Sequence, residues 1–160
     1  MNKPIEAPEL LTVSRLLPEF KDMPGGLMPL LHAVQEALGF IPASAVPMVA
    51  EAMNLSRAEV HGVITYYHFF RSKAPGKHVV QVCRAEACQS CGSEELLAQT
   101  EALLGCKLHE TSADGRFSLE PAYCLGLCAS SPAVQIDDKL YARMNHSRMV
   151  RLVADIGSAS

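Results

Sequence analysis

Apolar residues recur at helical spacing through the first part of the chain. From Leu27 they return every three or four positions as far as Leu38, and Gly39 stands where a left-handed helix cap belongs. A similar stripe follows Pro42, and a weaker one covers residues 8–20. The pattern therefore predicts successive helices that bury one face each.

The segment that follows carries the signature of a capped helix start. Ser56 and Glu59 have the spacing of a capping box, and an apolar stripe runs on through Val60, Ile64 and Tyr67. Four aromatic residues crowd the end of this helix: Tyr66, Tyr67, Phe69 and Phe70. They cannot all face inward from one helix, so we expect some of them to meet the second half of the chain or a partner.

The pattern changes at residues 71–77, where Pro75 and Gly76 favour a linker. Beyond it, strand and helix signals alternate. The predicted elements are a β-branched strand over 78–82, a helix over 93–105, strands on either side of Asp114-Gly115, a hairpin of 133–136 and 140–143, and a last helix capped by Asn145 or Ser147. The fold class expected is α+β, with an N-terminal helical bundle over residues 1–74 and an α/β domain over residues 75–160.

Charge and hydropathy exclude two classes of partner. The formal net charge is -3, and no block of like charges supplies the basic footprint that nucleic acid requires. No apolar run is long enough for a membrane span, and the N-terminal residues lack the pattern of a secretory signal. We therefore expect a cytoplasmic protein.

All 6 cysteines lie between Cys83 and Cys128, which points to metal or redox chemistry in a reducing compartment. Cys83 and Cys88 leave the end of the first predicted strand, and Cys124 and Cys128 share a later loop. Two such pairs can supply a 2Fe-2S cluster with two thiolates for each iron, while loop N–H groups turn toward the sulfurs. Gly126 would let the backbone approach closely.

Spacing alone leaves three other possibilities open. Cys83, Cys88 and Cys91 have the C-x4-C-x2-C spacing of plant-type ferredoxins, which need one further ligand downstream. Cys88 and Cys91 could instead form a thiol-disulfide pair, as in a thioredoxin-like disulfide reductase. A zinc-stabilised binding module is less favoured, because zinc sites usually have tighter cysteine spacing on both sides. Cys91 and Cys106 are interpreted as structural thiols.

Five segments resemble one known family. They are residues 30–39, 62–67, 82–88, 114–120 and 123–128, the last two reading DGRFSLE and YCLGLC. These are similar to the thioredoxin-like 2Fe-2S ferredoxin subunit of respiratory complex I. The resemblance implies a thioredoxin-like second half that carries one 2Fe-2S cluster, with Cys83, Cys88, Cys124 and Cys128 as the ligands.

The same resemblance implies an electron-transfer role without a catalytic site on this chain. Its partner would be a flavoprotein subunit that binds FMN and NAD(H), with which the cluster exchanges electrons. Within the family, the Cys83 segment resembles the gamma subunit of molybdenum-containing, NAD-dependent formate dehydrogenase. The alternatives are the equivalent subunit of complex I or of an NAD-reducing hydrogenase.

Overall fold

The computed structural model describes residues 8–158, which divide between Ala74 and Pro75 into two compact units. The first unit is helical and the second carries a five-stranded sheet. This confirms the α+β fold class. Among residues 8–158, no helix is long and apolar enough to cross a membrane.

The first unit contains four α-helices packed around one apolar core. Their bounds are α1 (Pro8–Phe20), α2 (Leu27–Leu38), α3 (Val46–Ala52) and α4 (Arg57–Tyr66), with a single 3-10 turn at Ala43–Ala45 before α3. Val13, Leu30, Leu31, Val34 and Val60 are fully buried in this core. The helices expected from the spacing are therefore confirmed.

Both predicted caps are present. Gly39 has φ 82°, and its N–H donates to the carbonyl of Gln35 at 2.7 Å. Ser56 Oγ accepts from the N–H of Glu59 at 3.1 Å, and the Glu59 carboxylate accepts from the N–H of Ser56 at 2.7 Å.

The placement of Tyr67 on the apolar stripe of α4 is wrong. It is the residue at which α4 ends, and its side chain is exposed.

A buried amide holds the chain that follows α4. The Gln35 side chain donates to the carbonyl of Phe69 at 2.8 Å and accepts from the N–H of Arg71 at 2.7 Å. Phe70 is buried in the core, whereas Tyr66 is 74% exposed and Phe69 58% exposed. The expectation that these aromatic residues do not all face inward is confirmed, and Gln35 fixes the backbone that presents them.

Two glycines of the first unit give a matched pair of predictions. A Cβ on Gly26 would collide with the carbonyl oxygens of Phe20 and Met23, whereas a Cβ on Gly62 would meet nothing within 4 Å. Gly26→Ala is expected to lower the free energy of unfolding by about 2 kcal/mol, because backbone must move to admit the methyl group. Gly62→Ala in the exposed interior of α4 is expected to raise it by about 0.5–1 kcal/mol. Urea titration of both variants measures the two changes in the free energy of unfolding, which are expected to have opposite signs. Equal changes in the two variants would contradict the predicted collision at Gly26.

The second unit is a mixed sheet with helices. The elements, in chain order, are β1 (His78–Cys83), α5 (Glu86–Ser90), α6 (Ser93–Leu104), β2 (Glu110–Thr111), β3 (Phe117–Ala122), β4 (Val134–Ile136), β5 (Lys139–Tyr141) and α7 (His146–Ser158). In the sheet the strands run in the order β2-β3-β1-β4-β5, and β1 pairs parallel to β3 but antiparallel to β4. Val80, Leu119, Val134 and Met149 are completely buried at its centre.

The elements predicted for the second unit are present, and Asn145 rather than Ser147 caps the last helix. Asn145 Oδ1 accepts from the N–H of Arg148 at 3.0 Å. No pattern in the sequence marks α5, a helix of only 5 residues. That short helix and the ends of β1 and β3 position the cysteines described next.

Candidate metal centre

The first cysteine pair lies where β1 ends. Cys83 is the last residue of that strand, and its N–H donates to the carbonyl of Ala133 at 3.0 Å. The next N–H, of Arg84, donates to the carbonyl of Ala122 at 2.7 Å. Cys88 lies on α5, and the two cysteines are 1% and 2% exposed. The strands on either side of β1 thus fix the backbone from which two buried thiols project toward one another.

The second pair lies on the loop that follows β3. The Sγ atoms of Cys124 and Cys128 are 3.6 Å apart, and both residues are exposed. Cys124 has φ 120° and Gly126 has φ 77°, and the N–H of Gly126 points to Cys124 Sγ at 3.4 Å. A positive φ is costly for a residue with a side chain, and such residues concentrate at functional sites. The loop is bent so that its own backbone faces its first sulfur.

The two loops meet. Leu125 and Leu127 of the second loop pack against the buried cluster that contains Cys83 and Cys88. In addition, the backbone N–H of Leu125 lies close enough to Cys83 to lower the pKa of that thiol. The structure therefore brings the four predicted ligands into one region, as two neighbouring pairs.

Backbone N–H groups converge on three of these four sulfurs. The N–H of Gly126 donates to Cys124 Sγ, the N–H groups of Ala85 and Leu125 lower the pKa of Cys83, and that of Ala133 lowers the pKa of Cys88. Four thiolates with two irons and two sulfides carry net negative charge, and N–H donors around the sulfurs offset it. The residues present fit a 2Fe-2S cluster on this ground. When bound, such a cluster supplies reversible one-electron chemistry.

The buried thiols differ in acidity. Burial raises the pKa of Cys83, and the N–H groups of Ala85 and Leu125 offset only part of that effect. Burial acts on Cys88 in the same sense, but its hydrogen bonds with Ser131, Cys83 and the Ala133 N–H outweigh that effect and lower the pKa of Cys88. The neighbouring Cys124 raises the pKa of Cys128. Since a metal binds the thiolate form, each pair must release its protons when the centre is filled.

The four thiols lie as two pairs, Cys83 with Cys88 and Cys124 with Cys128. A 2Fe-2S cluster takes two thiolates on each iron, so this arrangement suits it. Among residues 8–158, no three His, Cys, Asp or Glu side chains are gathered as ligands of a single ion.

The remaining cysteines make other contacts. Cys91 follows α5, and its N–H donates to the carbonyl of Cys88 at 3.1 Å. Its thiol is exposed, with Sγ 4.0 Å from the hydroxyl of Ser90. Cys106 is buried in the core of the second unit, where burial and nearby carboxylates raise its pKa. Cys88 contacts Cys83 and Ser131, so the structure pairs it with the end of β1.

Sequence reasoning missed the groups that surround the sulfurs. The N–H groups of Ala85 and Ala133 carry no sequence signal, because any residue other than proline supplies one. Ser131 was also missed, although its hydroxyl lies 3.4 Å from Cys88 Sγ. Its neighbour Pro132 follows a cis peptide bond.

The structure thus combines a mixed sheet with two pairs of thiols and with backbone N–H groups near their sulfurs. These are the features of a small iron-sulfur protein whose cluster is held by cysteine thiolates. A family model described as "Thioredoxin-like [2Fe-2S] ferredoxin" matches residues 13–157. The chain belongs to this family, and its cofactor is one 2Fe-2S cluster. The thioredoxin-like fold and the cofactor expected from the sequence are thereby confirmed.

The chain is similar to components of several NAD(P)-linked oxidoreductases. It is 30% identical to a component of the NADH-quinone oxidoreductase of Pseudomonas aeruginosa over 145 residues, 91% of this chain and 87% of that protein. It is also 30% identical to the NADP-reducing hydrogenase subunit HndA of Solidesulfovibrio fructosivorans over 131 residues, 82% of this chain and 77% of that one.

A solved structure supports the fold. An NAD+-reducing [NiFe]-hydrogenase in the air-oxidized state superposes with a TM-score of 0.68 at 23% identity. The match covers 84% of this chain and 23% of that hydrogenase chain, so the present chain spans about a quarter of its length.

Proposed function

We propose that this chain is the 2Fe-2S electron-transfer subunit of an NAD-dependent formate dehydrogenase. In this proposal Cys83, Cys88, Cys124 and Cys128 hold the cluster, and no catalytic residue lies on the chain. The cluster exchanges electrons with the FMN of an NAD(H)-binding flavoprotein subunit, within a larger molybdenum-containing complex. The 6 free cysteines fit a reducing compartment, and we place the assembly in the cytoplasm.

One observation carries the ligand assignment. The backbone N–H of Leu125, on the loop of the second pair, lies close enough to Cys83 of the first pair to lower the pKa of that thiol. Two loops that are far apart in sequence thus meet at Cys83. Cys91 and Cys106 take no part in this contact, which supports the assignment of the other four thiols.

The electron-transfer role is supported by the exposure of the centre. Cys124 and Cys128 are exposed together with Tyr123, so this side of the site is open to a partner. On the opposite side of the site, Cys83 and Cys88 are buried and shielded from water. A cluster held there can pass single electrons to a docked flavin, which connects one-electron centres with the two-electron chemistry of NAD.

The choice of holoenzyme is tested by purification of the intact complex. The chain carries an affinity tag in its own host, and the complex is isolated without oxygen. We expect molybdenum and FMN to co-purify with iron and sulfide, and formate to drive NAD+ reduction. Mass spectrometry then identifies the subunits retained.

The other family members give different results in the same preparation. A complex that contains nickel and reduces NAD+ with hydrogen would identify a hydrogenase subunit. Retention of membrane subunits together with NADH-quinone activity would identify a complex I subunit. Either outcome would leave the cluster in place but contradict the formate dehydrogenase assignment.

A further inference from the structure

One serine hydroxyl touches both ligand loops. Ser131 Oγ lies 3.4 Å from Cys88 Sγ, on the first loop, and donates to the carbonyl of Cys128, on the second, at 2.9 Å. Its side chain is half-buried, next to the two buried thiols. In this contact the Cys88 thiol donates and the Ser131 hydroxyl accepts.

The hydrogen bond between Ser131 and Cys88 can persist in the filled centre only if its direction reverses. While Cys88 is a protonated thiol, it donates to Ser131 Oγ, and the serine proton points to the Cys128 carbonyl. A metal-bound Cys88 has no proton to give. The serine hydroxyl then places its proton between the Cys88 sulfur and the Cys128 carbonyl oxygen, and a hydrogen bond to an ionised acceptor is about twice as strong as a neutral one.

We propose that the Ser131 hydroxyl donates to the Cys88 thiolate in the loaded protein and raises the reduction potential of the cluster. This inference rests on the proposed assignment of Cys88 as a ligand. Ser131 is a positioning residue, because it acts on the cluster through the sulfur of a ligand.

The direction follows from electrostatics. Reduction adds one negative charge to the cluster, and part of it falls on the cysteine sulfurs. A donor that points at one sulfur stabilises the reduced form more than the oxidised form. Loss of that donor therefore makes reduction harder and moves the potential to a more negative value.

The test compares hydroxyl-bearing with hydroxyl-free side chains in the full-length chain carrying its cluster. Ser131→Ala removes the hydroxyl, while Ser131→Thr and Ser131→Val form a pair of similar volume that differs in the hydroxyl. Iron and sulfide are measured first, and the midpoint potential is then obtained by EPR-monitored redox titration. We expect Ser131→Ala and Ser131→Val to titrate at a more negative potential than the wild type, and Ser131→Thr to titrate close to it.

Ser90→Ala is the matched control. Ser90 Oγ donates to the carbonyl three residues earlier, of Ala87, at 2.9 Å, as Ser131 does to Cys128. Its nearest sulfur is Cys91, at 4.0 Å, which is not a proposed ligand. The potential of Ser90→Ala is expected to equal that of the wild type.

Several results would overturn the inference. These are an unchanged or higher potential in Ser131→Ala, or equal potentials in Ser131→Thr and Ser131→Val. The Thr and Val comparison decides the matter even where Ser131→Ala fails to load. Failure of the proposed ligand assignment would look different, because Cys88→Ser would then retain a normal cluster.

Discussion

Replacement of Cys83 by serine is expected to reduce bound iron and sulfide from one cluster per chain to background, with loss of visible absorption and of the EPR signal of the reduced form. The same result is expected for Cys88, Cys124 and Cys128, because in our proposal all four thiolates are needed to hold the two irons. Serine is a poor substitute, since its hydroxyl is far less acidic than a thiol and does not ionise readily to bind iron. Each variant is purified and reconstituted without oxygen, and circular dichroism verifies that it is folded.

The other two cysteines provide matched controls. Cys91→Ser changes an exposed thiol, and Cys106→Ala changes a buried one without introducing a hydroxyl into the core. Both are expected to retain a normal cluster. A normal cluster in Cys88→Ser, together with its loss in Cys91→Ser, would show that our ligand assignment is wrong.

The second large effect is expected at Gln35. Gln35→Ala leaves the carbonyl of Phe69 and the N–H of Arg71 without partners in a site where the glutamine is 4% exposed. An unsatisfied buried group costs about 1–3 kcal/mol, so we expect the free energy of unfolding to fall by about 2–4 kcal/mol. Urea denaturation gives the total change, and amide hydrogen exchange at Arg71 reports the local loss.

Two further substitutions sharpen this test. Glu36→Ala changes the next residue of α2, which is exposed, and is expected to alter the free energy of unfolding by less than about 0.5 kcal/mol. Gln35→Glu keeps an acceptor for the Arg71 N–H, but an ionised carboxylate cannot donate to the Phe69 carbonyl. It should be destabilised at neutral pH and recover as acid protonates it. Equal midpoints for Gln35→Ala and Glu36→Ala would refute the role given to this amide.

The sequence predicted what depends on local patterns. The capping box of Ser56 and the left-handed cap at Gly39 are read directly from residue type and spacing, and both are formed. The helical stripes and the β-branched strand at the start of the second unit are also local. The four cysteines were predicted as ligands because cysteine pairs at short spacing are uncommon outside metal and redox sites, and because their segments resemble those of one family.

What could not be predicted depends on contacts between distant residues. The parallel pairing of β1 with β3 is set by the whole sheet. Gln35 interrupts an apolar stripe, and only the structure shows that its amide binds backbone 34 and 36 residues away. The φ of Cys124 has no sequence signal, because cysteine has no preference for that region. The same loop directs the Leu125 N–H toward Cys83.

The unequal burial of the two cysteine pairs gives the metal centre an inner and an outer side. Cys83 and Cys88 are sealed, whereas Cys124 and Cys128 face the solvent. If these four thiols hold the cluster as proposed, we expect iron and sulfide to enter past the outer pair and dioxygen to reach the centre from the same direction. Before the cluster is inserted, the two outer sulfur atoms are exposed and 3.6 Å apart, where they can oxidise to a disulfide, so we expect assembly to need a reductant that keeps them as thiols.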